Sequence, residues 1–330
     1  MLKLPDFDYS LPKELIAQYP LKERDAARLL VLDRKKRKIE HKIFKDISGY
    51  LNKEDLLVLN DTKVLPSRLL GKRKTAGRVE ILLVRRKAGL TFDALIKPSR
   101  VKIGEKLILN GNTSHCIISA KNEVTFDFKD IESVYDLGMM PLPPYIKRTP
   151  EESDKIYYQT VYAQKEGAIA SPTAGLHFTK KLIEEIKSKG VNIAYLTLHV
   201  GVGTFKPVKV DDITMHNMEP EYFQVPDQAQ GQIEKAKENK ARTIACGTTS
   251  LRALEAYASG KKRGYTDLFI YPGYKFKIVD SLLTNFHLPR TTLFMLACAF
   301  IGEDLAKLAY REAIENKYRF YSYGDAMLIL

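Results

Sequence analysis

ILLVR (81–85), FDALIK (92–97), KLILN (106–110), HCIISA (115–120) and EVTFDF (123–128) follow one another at starts 8–14 residues apart. Each is a short, largely apolar run bounded by polar residues. Asn110-Gly111-Asn112 and Lys121-Asn122 stand where hairpin turns belong. Short strands at this spacing predict an antiparallel sheet or small barrel.

On either side the texture changes. LLVLD (29–33) and LLVLN (56–60) read as buried strands. A short helix is expected after Ser10-Leu11-Pro12, with Leu11, Leu15 and Ile16 near helical spacing. GMMPLPPYIKRTP (138–150) is proline-rich and reads as a linker. Beyond Tyr157 strands and helices alternate. Strands are expected at 193–200, 243–247, 267–271 and 281–286. Helices are expected at 180–189, 228–239, 250–258 and 291–316, the last broken at Gly302. The fold class is therefore α/β. A large mixed α/β domain is built from residues 1–61 and 150–330, and an antiparallel β-barrel-like domain at 62–149 is inserted into it.

Composition excludes several classes. In 330 residues, 45% hydrophobic and 28% charged content is that of a globular chain. The longest apolar run, Leu293 to Ile301, is nine residues, far short of the ~20 a membrane helix needs. Pro5, Asp6 and Asp8 stand where a secretory signal would be apolar. Cys116, Cys246 and Cys298 are three and far apart, so no disulfide framework follows and a reducing cytoplasm fits.

The formal net charge is +13, of which +11 falls in residues 1–150 and +2 in 151–330. It peaks between Asp61 and Lys87, where nine basic residues face only Asp61 and Glu80. A one-sided basic patch suits a polyanionic partner, and a solvated surface is the plain alternative.

Four of the six histidines lie in loops dense with Gly, Thr, Ser and Pro: His177 in SPTAGLHFT (171–179), His199 in LHVGVGTFKP (198–207), His216 in MHNMEPE (215–221) and His287 in TNFHLP (284–289). Such loops at strand ends are where α/β sheets bind ligands, so a shared pocket is expected. GTTSLRALE (247–255) reads as a strand, a turn and a helix whose first amides suit an anion. Arg252, one turn in, suits a carboxylate. GVGT (201–204) fails as a dinucleotide fingerprint because Lys206 replaces the third glycine, and Gly71 to Gly77 fails as a P-loop. No metal-ligand spacing is present, and no metal is expected. Asn60-Asp61-Thr62-Lys63 lies at the join to the basic segment, either as a hinge turn or as a pocket wall.

Taken together, LVLNDTKV, ASPTAGLHFT, LHVGVGTFKPV, MHNMEPE, GTTSLRALE, TDLFIYPGYKFKIVDSLLTNFHLP and YRFYSYGDAML (318–328) resemble the S-adenosylmethionine:tRNA ribosyltransferase-isomerases of the queuosine pathway. The N-terminal segment 6–33 fits as well, so the resemblance spans nearly the whole chain. Ala26-Ala27-Arg28 and Asn217-Met218 depart mildly from the pattern.

The resemblance implies a cytoplasmic, monomeric enzyme with an α/β domain and an inserted barrel-like domain. Its substrates would be S-adenosylmethionine, as cosubstrate, and a tRNA with a GUN anticodon stem-loop. The ribosyl part would pass to 7-aminomethyl-7-deazaguanine at the wobble position, giving epoxyqueuosine, adenine and methionine. A base is then needed beside the sulfonium-activated carbon. His177 and His199 are the candidates, with Glu219 or Glu221 as the carboxylate and Asp325 as a further one. Expected cosubstrate or substrate contacts are Thr173, Gly175, Gly201, Thr204, Thr248, Thr249, Arg252, Tyr271, Tyr274 and His287, with Phe276 as another aromatic. Expected tRNA contacts are Lys63, Arg68, Lys72, Arg73, Lys74 and Arg78.

Overall fold

A computed structural model describes residues 2–109, 114–201, 203 and 208–330. The strands, in chain order, begin with β1 (Arg28–Asp33), β2 (Lys38–Ile43), β3 (Leu56–Asn60) and β4 (Thr62–Val64). Next come β5 (Arg68–Lys72), β6 (Arg78–Arg86), β7 (Thr91–Lys97), β8 (Lys106–Leu109), β9 (Ser114–Ala120) and β10 (Glu123–Phe126). The rest are β11 (Lys165–Ala168), β12 (Asn192–Leu198), β13 (Glu221–Gln224), β14 (Thr243–Cys246), β15 (Arg263–Thr266), β16 (Ser281–Asn285) and β17 (Ala326–Ile329). The helices are α1 (Glu132–Asp136), α2 (Asp154–Tyr157), α3 (Lys180–Ser188), α4 (Asp227–Glu238), α5 (Gly247–Tyr257), α6 (Thr292–Ile301) and α7 (Glu303–Glu315).

β5 to β10 close into an antiparallel barrel, ordered β10-β7-β6-β5-β8-β9. Its interior follows the two-residue period. Val79, Ile81 and Leu83 of β6 and Phe92, Ala94 and Ile96 of β7 point inward. The Lys121-Asn122 turn is present, with Asn122 left-handed at φ 59°. The Asn110-Gly111-Asn112 turn lies outside the described residues.

The other strands, apart from β4 and β11, make a nine-stranded mixed sheet, β15-β13-β12-β3-β14-β16-β17-β1-β2. Its centre, β12-β3-β14-β16, is parallel. Alternation sorts the side chains onto two faces. Leu30, Leu32, Val58, Leu196 and Leu282 pack with α4, α5, α6 and α7. Leu29, Val31, Leu57, Leu59 and Leu283 pack with α3 and the turn at Phe44–Tyr50. Burying both faces explains why β3 reads as an unbroken apolar run. Thr179 caps α3 through the amide of Leu182 at 3.1 Å, and Thr291 caps α6 through that of Phe294 at 3.3 Å. α6 gives way to α7 at Gly302.

Several expectations are corrected. Residues 267–271 form no strand. The strand is β15, which ends at Thr266 immediately before, and Leu268 satisfies its backbone elsewhere: its amide donates to Thr266 Oγ1 and its carbonyl accepts from Arg252. After Pro12 only the single turn Lys13–Leu15 forms. α5 begins at Gly247, so Thr248 and Thr249 lie inside its first turn. The proline-rich 138–150 segment is a buried strap. Met140, Leu142 and Ile146 pack with Val64, Tyr158, Leu176 and Tyr323 in a cluster of their own. Among the described residues, no helix is long and apolar enough to cross a membrane.

Candidate active site

The parallel strands place their carboxyl ends together, and the loops leaving them line a small cleft. Gly247, Thr248 and Thr249 follow β14. Thr284, Asn285 and His287 end β16, and Val200 follows β12. Ser171 to Ala174 close one side. Tyr145 from the strap and Tyr321 and Ser322 from the C-terminal loop close the other. This is the position at which open α/β sheets bind ligands.

The polar atoms in this cleft are unusual. Ser171 Oγ, Thr249 Oγ1 and Asn285 Oδ1 are buried and have no hydrogen-bond partner among the described residues. A buried polar atom without a partner costs about 1–3 kcal/mol. Three lie around one cleft, which encloses about 50 Å³, and offer hydrogen-bonding capacity to a polar group. Tyr321 adds backbone strain, with φ at 74°. Its ring meets that of Tyr145 edge-on at 3.8 Å between centroids. The Tyr145 hydroxyl and Ser322 Oγ share a short hydrogen bond.

A second cleft of about 410 Å³ opens between the barrel and the sheet. That is the size of an ordinary ligand pocket, which the first cleft is not. Arg85, Arg86 and Phe92 line it from the barrel. Gly167–Ile169, His199–Gly201, Pro220–Tyr222 and Tyr265 line it from the α/β side. The two clefts share Val200, which pairs with Ala170 in an isolated antiparallel bridge.

The four histidines do not share one pocket, which corrects that expectation. His287 lines the small cleft and has Nε2 2.9 Å from Thr284 Oγ1. His177 lies behind it, with Nε2 3.3 Å from Asn285 Nδ2 and its ring 4.9 Å from that of Phe44. Burial depresses both imidazoles to about 3; for His177 the Arg319 charge adds to this. His199 lines the larger cleft, stacked on Tyr222 at 5.6 Å, and burial lowers its pKa too. His216 stands apart, edge-on to Phe269 at 5.3 Å.

The other named residues divide as follows. Thr173, Thr248 and Thr249 line the small cleft beside His287. Gly175 is pressed so closely against the Tyr162 hydroxyl that a Cβ would collide with it. Gly201 borders the larger cleft and donates its amide to Glu221 Oε1 at 2.8 Å. Thr204 lies outside the described residues. Glu221 and Arg252 form a short, buried ion pair, so Arg252 faces a carboxylate of the protein itself. Glu219 packs its side chain against Gly203. Asp325 is buried and accepts the amides of Arg28 at 2.9 Å and Arg319 at 2.8 Å, an anchoring geometry. Burial nevertheless raises its pKa. Tyr274 donates to Glu255 at 3.2 Å, and its ring meets Phe276 at 5.1 Å. Tyr271 packs on Phe269 at 5.1 Å. Neither Tyr271 nor Tyr274 lines either cleft.

Of the basic residues, Lys63 pairs with Glu166 at 3.0 Å and Arg68 with Glu80 at 3.0 Å. Arg73 is held bidentately by Glu105 at 2.6 and 2.9 Å. Lys72, Lys74 and Arg78 are exposed and form no ion pair among the described residues.

Sequence reading did not single out Ser171, Asn285, Tyr145, Tyr321 or Ser322. Four of these, all but Tyr145, sit inside motifs quoted for their histidines or their resemblance. Ser171 and Asn285 are distinguished by an unpartnered atom and Tyr321 by a strained φ, and neither is visible in one dimension.

A family model described as a queuosine biosynthesis protein matches residues 4–329. The S-adenosylmethionine:tRNA ribosyltransferase-isomerase of Sulfurihydrogenibium sp. (strain YO3AOP1) is 55% identical over 336 residues, covering 100% of both chains. The protein of that name from Clostridioides difficile (strain 630) is 48% identical over 342 residues, covering 99% of this chain and 100% of the relative. Among solved structures, S-adenosylmethionine tRNA ribosyltransferase from Thermotoga maritima is 38% identical with a TM-score of 0.58, covering 98% of this chain and 100% of that one. By full-length similarity and by fold, this chain belongs to the S-adenosylmethionine:tRNA ribosyltransferase-isomerases, enzymes of queuosine biosynthesis.

Proposed function

We propose that the protein transfers the ribosyl part of S-adenosylmethionine to 7-aminomethyl-7-deazaguanine at the wobble position of a GUN-anticodon tRNA. The ribose is isomerised on the way, giving epoxyqueuosine tRNA and releasing adenine and methionine. The observation that carries this reading, beside family membership, is the set of three orphaned polar atoms in the small cleft, Ser171 Oγ, Thr249 Oγ1 and Asn285 Oδ1.

That cleft holds one polar end of the cosubstrate. The first amides of α5 and Thr248 and Thr249 suit the methionine carboxylate, a task that Arg252, already paired with Glu221, does not share. The rest of the cosubstrate and the incoming base occupy the larger cleft, where Tyr222, Tyr265 and Phe92 supply aromatic faces. The sulfonium acidifies the neighbouring C5′ hydrogen. His199, which lines that cleft, is the base that takes it, and Glu219, whose side chain packs against Gly203, offsets the cationic charge. His177 is enclosed behind Asn285 and supports the cleft wall. The exposed Lys72, Lys74 and Arg78 meet RNA phosphates. The enzyme works as a cytoplasmic monomer without a metal.

The test is mass spectrometry of a reaction with S-adenosylmethionine and an anticodon stem-loop carrying the aminomethyl-deazaguanine. Epoxyqueuosine in the digested RNA, with adenine and methionine in solution, is the expected result. A methylated RNA with S-adenosylhomocysteine would overturn the reading.

A further inference from the structure

Thr62 belongs to the Asn60-Asp61-Thr62-Lys63 turn, and its side chain is fully buried. Its Oγ1 lies 2.7 Å from His199 Nδ1 and 3.4 Å from the carbonyl oxygen of Lys165. A threonine hydroxyl has one proton to donate and lone pairs that accept. Donated to Nδ1, that proton would leave the Lys165 contact unused. Donated to the carbonyl, it leaves the oxygen free to accept from Nδ1–H, and both contacts are hydrogen bonds. The second arrangement leaves Nε2 without a proton.

The surroundings hold this geometry. β4 and β11 pair in parallel with Thr62 opposite Lys165, so the backbone sets the hydroxyl beside that carbonyl. Asn60 ties the two partners together. Its Oδ1 accepts the amides of Thr62 at 3.1 Å and Leu198 at 3.0 Å, and its Nδ2 donates to the Leu198 carbonyl at 2.9 Å. Thr62 and the residue before His199 are thus fixed to one buried side chain.

The opposite edge of the ring meets Gly167. There φ is 145°, and an added Cβ would fall 2.8 Å from Nε2 and 2.9 Å from Cε1. Any side chain at 167 would cover the nitrogen that the hydroxyl leaves bare.

We propose that Thr62 is a positioning residue for ribosyl transfer, holding His199 in the Nδ1–H tautomer so that Nε2 faces the larger cleft as a proton acceptor. The proposal rests on the reading of His199 as the base. In that reading the C5′ proton passes to Nε2, and its electron pair stays on the carbon beside the sulfonium. Thr62 itself forms and breaks no covalent bond.

The tautomer is measurable without any variant. In full-length protein labelled with 13C and 15N at histidine, the His199 signals are those lost in His199→Gln, and the ring shifts distinguish Nδ1–H from Nε2–H. The expected native state is Nδ1–H, and an Nε2–H ring would overturn the proposal outright. Kinetically, Thr62→Val should lower kcat about 10–100-fold, within the range of general-base catalysis, with little change in the KM for S-adenosylmethionine. Thr62→Ser, which keeps the hydroxyl, should restore the rate and the tautomer. Thr62→Val combined with His199→Gln should be no slower than His199→Gln alone. If His199→Gln turns over normally, the base reading fails. If His199→Gln is slow while folded Thr62→Val keeps the native rate, only the role given to Thr62 fails.

Discussion

Asn285 donates its side-chain amide to the carbonyl oxygen of Tyr321 at 3.0 Å, across the floor of the small cleft. That bond holds a residue whose backbone is left-handed at φ 74°. A non-glycine residue in that region costs on the order of 1–3 kcal/mol and persists only where the surroundings enforce it. The Tyr321 amide is held as well, by the Phe286 carbonyl at 3.0 Å. The loop carrying Tyr321 and Ser322 is therefore fastened to the end of β16 by Asn285 and the Phe286 carbonyl together.

Removing that fastening should affect activity more than folding. Asn285→Ala removes one of two donors to the Tyr321 carbonyl, the Gly324 amide at 3.0 Å remaining, and should cost about 0.5–1.5 kcal/mol. Adenine release should fall by much more than the change in Tm accounts for, because the acceptor in the cleft is lost too. Thermal melts alongside turnover make the comparison, and full turnover in Asn285→Ala would refute the assignment of this cleft.

The Glu221–Arg252 pair is almost wholly enclosed, at 2% and 4% side-chain exposure. Arg252→Ala takes the cation away from a buried carboxylate and should destabilise by about 3–5 kcal/mol. Arg252→Met with Glu221→Leu removes both charges and should recover most of that loss. Urea unfolding reads both. A loss below ~1 kcal/mol in Arg252→Ala would show that the pair adds little.

Two neutral histidines make stability depend on pH. His177 and His287 titrate at about 3 in the folded protein, against about 6.5 unfolded. Between those values the unfolded chain binds the extra protons. The stability is therefore whole above pH 6.5 and is lost as pH falls toward 3, with a limiting slope of about 1.4 kcal/mol per pH unit for each histidine. Unfolding free energies from pH 5 to 6.5 isolate this from most carboxylates. His177→Gln should flatten the slope by up to one proton, and an unchanged slope would show that His177 titrates normally.

Charge contacts to RNA should separate exposed from paired cations. Lys74→Ala and Arg78→Ala should each lower the salt slope of tRNA binding by about 1. Lys63→Ala, whose ammonium pairs with Glu166, should leave it nearly unchanged. Binding measured across a salt series decides this. Equal slopes for all variants would place the RNA elsewhere.

Much of the fold was legible because periodicity is local. β6 to β10 announced themselves as short apolar runs at regular spacing, whereas β5 was not singled out, and α3, α4, α6 and α7 fell where helices were expected. The DLFIY segment misled because its apolar residues pack on the core, Ile270 fully and Leu268, Phe269 and Tyr271 in part, without a strand partner, Leu268 being served by Thr266 and Arg252. The strap misled because prolines that prevent regular structure do not prevent burial. β2, with the charged sequence KIEHKI, escaped notice because an edge strand is exposed and carries no apolar run.

The sequence alone determined the α/β body, the antiparallel barrel and the basic first half, because each is written in neighbouring residues. Only tertiary structure decided which groups meet. Thr62 reaches His199 across 137 positions, Asn285 reaches Tyr321 across 36, and Arg252 reaches Glu221 across 31. Those meetings follow from the strand order, which sets β3 between β12 and β14 and brings β16 beside β14. That order comes from burying both faces of the whole sheet at once, a condition no local stretch of sequence expresses.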